Sequence, residues 1–469
     1  MNQYDAIVIG AGHNGLTNGA YLAKAGLKVA VLERNPYIGG ATVSRELHKG
    51  WWYSNCSYVS SLLRPEITRD LELPRHGLQV VSFGGGATFM RNGDYFGNYS
   101  DHDRHYREMA RHSKRDANAY DRYAADTSLQ TKLIRPYLMR TPPDPTSMKP
   151  RDLRDLLEFA RSFMDLGEEK LLDTIKFWTA SVGDYLNEYF ETDVIKAHMA
   201  GSGIIGTALG VYSPGTAYVL LHHYMGDVDG NVGAWGFARG GMGAIANALS
   251  KAFQSYGGEI ICDAEVKGMQ WADGAWHVET KVGSFAAPIV VNAAGAWGDV
   301  IAARAGVHPM GLTPKRRTVI LFDPPPDVDI EDWPLVIDAD ESWYFKPDAG
   351  KVLASPADET PVEPYDAQAE ELDIALIADA IERMTSMTVG RISHSRAGLR
   401  TFTADKTPVV GFAPDAEGFF WLVGQGGYGI ETSPAMGELT CALIIDGRAP
   451  DNFTKAGFSD QDVSPVRYH

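Results

Sequence analysis

Gly10, Gly12 and Gly15 stand at G-x-G-x-x-G spacing directly behind the apolar run Ala6–Ile9. Glycine at the first position allows a tight turn. At the second it lets backbone N–H groups approach a pyrophosphate, and at the third it permits close helix–strand packing. A helix beginning there presents its positive end to a diphosphate. Glu33 follows about 20 residues on, where a carboxylate accepts both hydroxyls of a ribose and repels a 2′-phosphate. The chemistry expected is the binding of a dinucleotide other than NADP. The same spacing also serves a bare strand–helix turn with no ligand.

Further glycine turns bear on which dinucleotide. Gly39-Gly40 follow Glu33 within one short loop, and Gly295 and Gly424 to Gly429 each follow an apolar strand. One NAD-binding domain needs a single phosphate loop. Turns drawn from both ends of the chain fit one discontinuous domain wrapped along an extended FAD. A last helix starting near Thr432 would aim its positive end at the flavin pyrimidine ring, where charge builds up on reduction.

The elements that hold these residues follow from periodicity and turn chemistry. Residues 5–33 read as strand, glycine turn, helix from Leu16 to Ala25 closed by Gly26, and a second strand from Lys28 to Leu32. Asn92-Gly93 and Asp273-Gly274 mark hairpins. Residues 101–139 and 151–199 are helical in pattern, joined by the proline-rich Arg140 to Pro150. A helix near Gly243 leads to a strand at Glu259 to Cys262. Strand-like runs over 310–392 enclose a helix at Leu372 to Met384. The expected fold class is α/β. A discontinuous Rossmann-like FAD-binding domain (1–85, 230–305, 395–450) joins an α+β substrate domain, whose parts are a mostly helical insertion (86–229) and a sheet (306–394). Residues 451–469 form a tail.

Composition bounds the partners. The 469 residues are 44% hydrophobic and 22% charged, with a net charge of −17, which suits an ordinary globular protein and disfavours nucleic acid and anionic lipid. Cys56, Cys262 and Cys441 lie far apart and suggest neither disulfides nor a zinc site. His222-His223 lack partners at metal-ligand spacing, and His13 within the glycine loop reads as packing. No apolar run reaches the roughly 18 residues of a membrane span, and no basic region precedes the first strand, so a cytoplasmic location is expected.

The strings "ERNPYIGGA", "TADKTPVVG" and "GQGGYGIETSPAMGE" resemble the flavin motifs of the glutathione-reductase-type FAD fold, in the branch of amine oxidases, D-amino-acid oxidases and phytoene desaturases. Residues 1 to about 258 resemble phytoene-desaturase-related oxidoreductases of the pyridine-nucleotide-disulfide oxidoreductase domain 2 type, through "IGAGHNGL", "GGATVSRE" and "GAWGFARGGMGAI". Residues from about 262 resemble D-amino-acid dehydrogenases of the D-arginine type, through "VNAAGAW", "ESWYFKPDAG" and "AGLRTF". The changeover falls between Ser255 and Glu265, as in a natural or engineered chimera.

The resemblance implies non-covalent FAD held by Gly10, Gly12, Gly15, Glu33, Arg34, Gly39, Gly40, Ala41, Val266, Ala294, Gly295, Gly426, Gly427, Tyr428, Gly429 and Ile430. It also implies that Arg400, Tyr344 and Arg317 hold a substrate carboxylate and that Gln425 lines the amine side. No catalytic nucleophile and no metal are expected, because the flavin carries the chemistry. Arg400 has a structural alternative as partner of Asp405, and Arg317 as part of a solvated basic edge. The expected reaction is oxidation of the Cα–N bond of a D-amino acid or related small amine, with oxygen, a quinone or another carrier as acceptor. Desaturation of an apolar substrate, and a flavin-binding scaffold with a vestigial site, are the rival readings. One departure bears on specificity. Where D-amino-acid dehydrogenases carry a Ser/Thr-Gly-Arg-Ser-type run, this chain has "GGATVSRELHKGWWYSNCSY", so a preference for basic side chains does not carry over.

Overall fold

Two sheets divide the labour. The computed structural model describes residues 2–468 except 55, 57, 58, 61, 62, 64, 83, 84, 91, 138–145, 165, 206, 208, 229, 331, 332, 334, 339–341 and 349. Residues 140–145 of the expected proline-rich linker thus lie outside the described residues. The strands that matter here are β1 (Ala6–Ile9), β2 (Val29–Leu32), β3 (Glu259–Ile261), β4 (Ile289–Asn292), β5 (Thr313–Phe322), β6 (Tyr344–Asp348), β7 (Lys351–Ser355), β8 (Ile392–Phe402), β9 (Val409–Phe412) and β10 (Phe419–Val423). The helices are α1 (His13–Lys24), α2 (Gly243–Ser255) and α3 (Gly429–Ile445).

The first sheet has the order β3-β2-β1-β4-β10-β9, parallel apart from β9, which runs antiparallel to β10. Strands β1, β2 and β10 are buried at every residue, as expected of a parallel sheet covered on both faces. One core joins α1, α2 and α3 to this sheet through Leu16, Phe253, Leu439 and Phe420. Chain segments some 400 residues apart in sequence therefore share one layer, as the discontinuous domain requires. The hairpin Ser44–His48/Trp51–Ser54 locks onto the start of α2, where the hydroxyls of Ser44 and Ser54 accept the N–H groups of Gly243 and Met242 at 2.9 and 3.0 Å.

The second sheet is antiparallel. Its order is Val336–Ile337, β6, β7, β5, Thr360–Pro361, with β8 paired along β5. The helix Glu371–Met384 covers one face through Ile377 and Ile381, which pack on Ile320, Phe322 and Val352. The expected substrate sheet ended at residue 394, whereas β8 keeps its pairing with β5 as far as Phe402. The boundary moves because alternation along β8 continues unbroken into "AGLRTF", carrying Arg400 on a strand rather than in a loop.

The insertion is mostly helical, built on a core of Tyr123, Tyr185, Phe190 and Leu220. The helical stretch expected over 101–139 is two helices, His102–His112 and Lys114–Ile134. Ser113 divides them: its backbone is extended and its hydroxyl caps the second helix at Asp116 N. The stretch 151–199 likewise divides into Pro150–Met164, Glu168–Thr179, Val182–Asn187 and Asp193–Ala200. Both hairpins form, and at Asp273-Gly274 both residues take positive φ, 53° and 75°. Among the described residues no helix is long and apolar enough to cross a membrane.

Two half-buried histidines set an acid limit on this fold. Burial pushes His13 and His198 each down to about 4. The unfolded chain titrates near the ordinary value of about 6.5. Between the two values the unfolded state binds more protons, so stability is full above pH ~6.5 and declines as pH falls, by on the order of 3 kcal/mol per histidine. The melting temperature is expected to drop steadily from pH 7 to pH 4.5, and His198→Asn is expected to flatten that slope. A pH-independent melting temperature over this window would count against it.

Candidate active site

The nucleotide cradle forms where the first two glycine loops meet. Gly10 takes a φ of +105°, and a Cβ there would lie 2.7 Å from Ala293 O. A Cβ at Gly15 would lie 2.0 Å from Gly10 O, so only glycine lets α1 rise this close to β1. Gly39 N–H donates to Ala11 O at 2.8 Å, and a Cβ on Gly40 would sit 3.0 Å from Gly12 Cα. Thr42, just past the exposed Ala41, braces this loop through Gly39 O at 2.7 Å.

Glu33 is buried at the end of β2, its two oxygens accepting Ala11 N–H and Asn35 N–H, each at 2.9 Å. The segment entering Val266 runs beside it, with Ala264 N–H donating to Glu33 O at 2.8 Å. The Arg34 guanidinium stacks 3.7 Å above the Trp297 ring, next to the Ala294-Gly295 turn that closes β4. The structure thus gathers the expected cofactor residues of the first half around one groove.

The carboxy-terminal bend lies against the same cradle. Helix α3 begins at Gly429, three residues before the expected Thr432. Gly429 lacks the side chain that would stop it: a Cβ there would lie 2.4 Å from His13 Nε2. Likewise a Cβ on Gly437 would meet Thr17 of α1 at 2.8 Å. His13 itself is the first residue of α1, not part of the loop. Pro434 interrupts the ladder of α3, and Ser433 Oγ bonds the carbonyl of Ile430 at 2.8 Å.

Two abutting glycine loops, a glutamate fixed beside them and the N-terminus of α3 form a continuous cradle too long for a single phosphate loop. The residues fit FAD. Among the described residues no cluster of three His, Cys, Asp or Glu side chains could hold a metal.

The second sheet brings a set of cations to this bend. In the β5–β8 register Arg400 faces Lys315, Gly398 faces Arg317 and Arg396 faces Val319. Alternation places Arg396, Gly398 and Arg400 on one face with Lys315 and Arg317. The strand end joins the bend directly: Gly426 N–H donates to Thr401 O at 2.9 Å, and a Cβ on Gly427 would lie 3.4 Å from the Arg400 guanidinium. Arg400 makes no hydrogen bond or ion pair among the described residues. Asp405, its expected alternative partner, is instead held by Thr407 N–H, Tyr468 and Arg467.

Arg317 reaches Glu359 at 3.3 Å, and its buried Nε has no hydrogen-bond partner among the described residues. Burial, and then the neighbouring Arg400, depress its guanidinium below the usual range. Tyr344 opens β6, buried, and interacts electrostatically with both Arg317 and Arg396. Gln425 is buried in the bend with its Nε2 lacking a partner among the described residues. The basic run is not a solvated edge. Arg316 faces the opposite side, 3% exposed, caged by Asp373 at 2.8 Å, Asp358 at 3.7 Å and Glu370.

The sequence reading missed the wall above this face. Cys56 sits over Gly398, where a Cβ would fall 2.2 Å from its Sγ. Ser54 O accepts Arg396 Nη2 at 2.6 Å, and the Tyr53 ring lies 6.0 Å from the same guanidinium. Tyr53, Ser54 and Cys56, within the segment that departs from the amino-acid dehydrogenase pattern, therefore lie over this cationic face. Arg396 was legible as a candidate, since an even spacing from Arg400 on a strand puts both on one face.

Comparisons with known proteins agree with this geometry. Residues 221–443 match the family model for FAD dependent oxidoreductases, and residues 8–69 match that for NAD(P)-binding Rossmann-like domains. The first of these intervals spans the expected changeover and takes in α2, the second sheet, strands β3, β4, β9 and β10 of the first sheet and the carboxy-terminal bend, while α1 and β2 fall in the second interval. The chain is 35% identical over 285 residues to pyridine nucleotide-disulfide oxidoreductase domain-containing protein 2 of Mus musculus, covering 57% of this chain and 48% of that one. It spans about half the length of the curated relatives it matches. The fold is that of glycine oxidase from Geobacillus kaustophilus (TM-score 0.51, 18% identity, 100% of both chains). It is also that of L-proline dehydrogenase from P. horikoshii (TM-score 0.53, 16% identity, 100% of this chain and 98% of that one).

Proposed function

We propose, starting from an FAD-dependent oxidoreductase domain over residues 221–443 that is completed by the Rossmann-like segment 8–69, that this protein oxidises the Cα–N bond of a small amino acid, of D configuration. The observation that carries this reading is the Arg400 guanidinium, without an ion-pair partner among the described residues, set beside Arg317 and against the glycine bend at Gly427. Glu359 reaches Arg317 at 3.3 Å but makes no ion pair with Arg400, and a planar guanidinium grips a carboxylate bidentately.

The roles divide between the two sheets. Arg400 and Arg317 bind the substrate carboxylate, and Tyr344 adds a phenol from β6. Gln425 and the backbone of Gly424 to Gly426 line the amine side. Fixing the carboxylate on a strand while the bend stays fixed to the nucleotide cradle orients Cα toward the redox ring, and orientation alone supplies several kcal/mol of rate acceleration. FAD, when bound, would supply the hydride acceptor beside this clamp, and the amino acid would leave as an imine that water hydrolyses to a keto acid and ammonia. The cationic sheet face argues against a long apolar substrate.

The test is anaerobic mixing of the FAD-loaded protein with a panel of amino acids. Some D-amino acids are expected to bleach the flavin band, with about one keto acid formed per flavin reduced and the L enantiomers slower by at least about a hundredfold. A band left unbleached by every amino acid would overturn the reading in favour of another substrate class or a scaffold.

A further inference from the structure

We propose that Arg396 makes the far wall of the substrate pocket cationic, so that the preferred substrate is an amino acid with a second acid group. This rests on the reading that the first carboxylate lies at Arg317 and Arg400. Arg396 stands four residues before Arg400 on the same face of β8, about 14 Å along the strand. Arg317 projects from the neighbouring strand between them. Cys56 lies close to both Arg396 and Arg400, and Tyr344 to both Arg396 and Arg317. These groups therefore lie on one side of the sheet, with Arg396 held in place by Ser54 O at 2.6 Å.

Charge on this face is one-sided. Asp348 is shared by Lys346 at 3.2 Å and Arg396 at 3.9 Å. Glu359 is shared by Lys315 at 3.0 Å and Arg317 at 3.3 Å. Among the described residues, then, Lys315, Arg317, Lys346, Arg396 and Arg400 share Asp348 and Glu359, while Lys351 pairs with Asp323 at the end of this face and Asp358 acts on Arg317 from the other side, in a chain whose net charge is −17. One substrate carboxylate leaves this excess only partly balanced, and a second acid group balances it further. A lysine- or arginine-like side chain brings another cation into the same enclosure and is repelled. The basic specificity of the resembled D-arginine type is thereby reversed, through the wall that Tyr53, Ser54 and Cys56 supply.

The experiment compares kcat/KM with an artificial electron acceptor for matched pairs: D-aspartate with D-asparagine, D-glutamate with D-glutamine, and D-lysine with D-norleucine. It uses the FAD-loaded protein and its Arg396→Gln and Arg396→Lys variants. Each acid is expected to exceed its amide by about tenfold or more, one ion pair's worth of discrimination, and lysine is expected to be the poorest substrate. Arg396→Gln should erase the acid preference, bringing each acid-to-amide ratio of kcat/KM to about one, while the flavin spectrum stays as it was, and Arg396→Lys should keep the preference. Amides equal to acids, lysine among the best substrates, or an acid preference surviving in Arg396→Gln would each overturn the proposal. Turnover of neutral amino acids without charge preference would sink this inference alone, whereas no turnover of any amino acid would sink the underlying reading as well.

Discussion

Replacing Arg400 with alanine is expected to lower kcat/KM for the amino-acid substrate by about a hundredfold to several-thousandfold, the cost of truncating one partner of a desolvated charge pair. FAD content and absorbance should stay unchanged, because Arg400 belongs to the substrate sheet and not to the cradle. Arg400→Lys should recover only a fraction of the activity, since an ammonium restores charge but not the planar two-point grip. The measurement is steady-state kinetics together with the flavin spectrum. A saturation curve matching that of the unaltered enzyme would refute the clamp.

The largest structural effect is expected at Gly15. Gly15→Ala places a carbon where Gly10 O already lies 2.0 Å away and Val8 Cγ1 3.3 Å away. Neither backbone can retreat, because β1 is clamped between β2 and β4. The helix must shift from the strand, opening the cradle and the α1–α3 contact together. Loss of FAD and at least about 3 kcal/mol of destabilisation are expected. Gly268→Ala is the control, since its Cβ position is empty and its backbone is not left-handed; it should change stability by no more than about 0.5 kcal/mol. Flavin retention after gel filtration and thermal melting check both, and a flavin-loaded Gly15→Ala protein of unchanged melting temperature would contradict the steric account.

What was legible in the sequence is what local rules govern. The glycine loop, Glu33 at the end of the second strand and the Asp273-Gly274 hairpin obey short-range geometry, and each takes its place in the fold. Element ends were displaced where a tertiary contact intervenes. Gly429 starts α3 early because His13 lies against it, and β8 runs on past residue 394 because β5 pairs with it. The pocket wall was the least legible part. Nothing near Tyr53, Ser54 or Cys56 in sequence announces that the first two meet Arg396 and the third covers Gly398, more than 340 positions away. The meaning of the Lys315-Arg316-Arg317 run depended on strand alternation, which sends Arg316 into an acid cage and Arg317 toward the bend.

The account depends on one convergence, in which a carboxylate-binding pair of guanidiniums meets a cradle built from both ends of the chain. A crystal structure of the FAD-loaded protein with a simple carboxylate inhibitor tests it most directly. The expected result is a dinucleotide lying along Gly10–Gly15, Gly39–Gly40 and the Gly424–Gly429 bend, with the inhibitor's carboxylate bridging Arg317 and Arg400 beside the flavin ring. A carboxylate bound elsewhere, with Arg400 turned to solvent, would contradict the account.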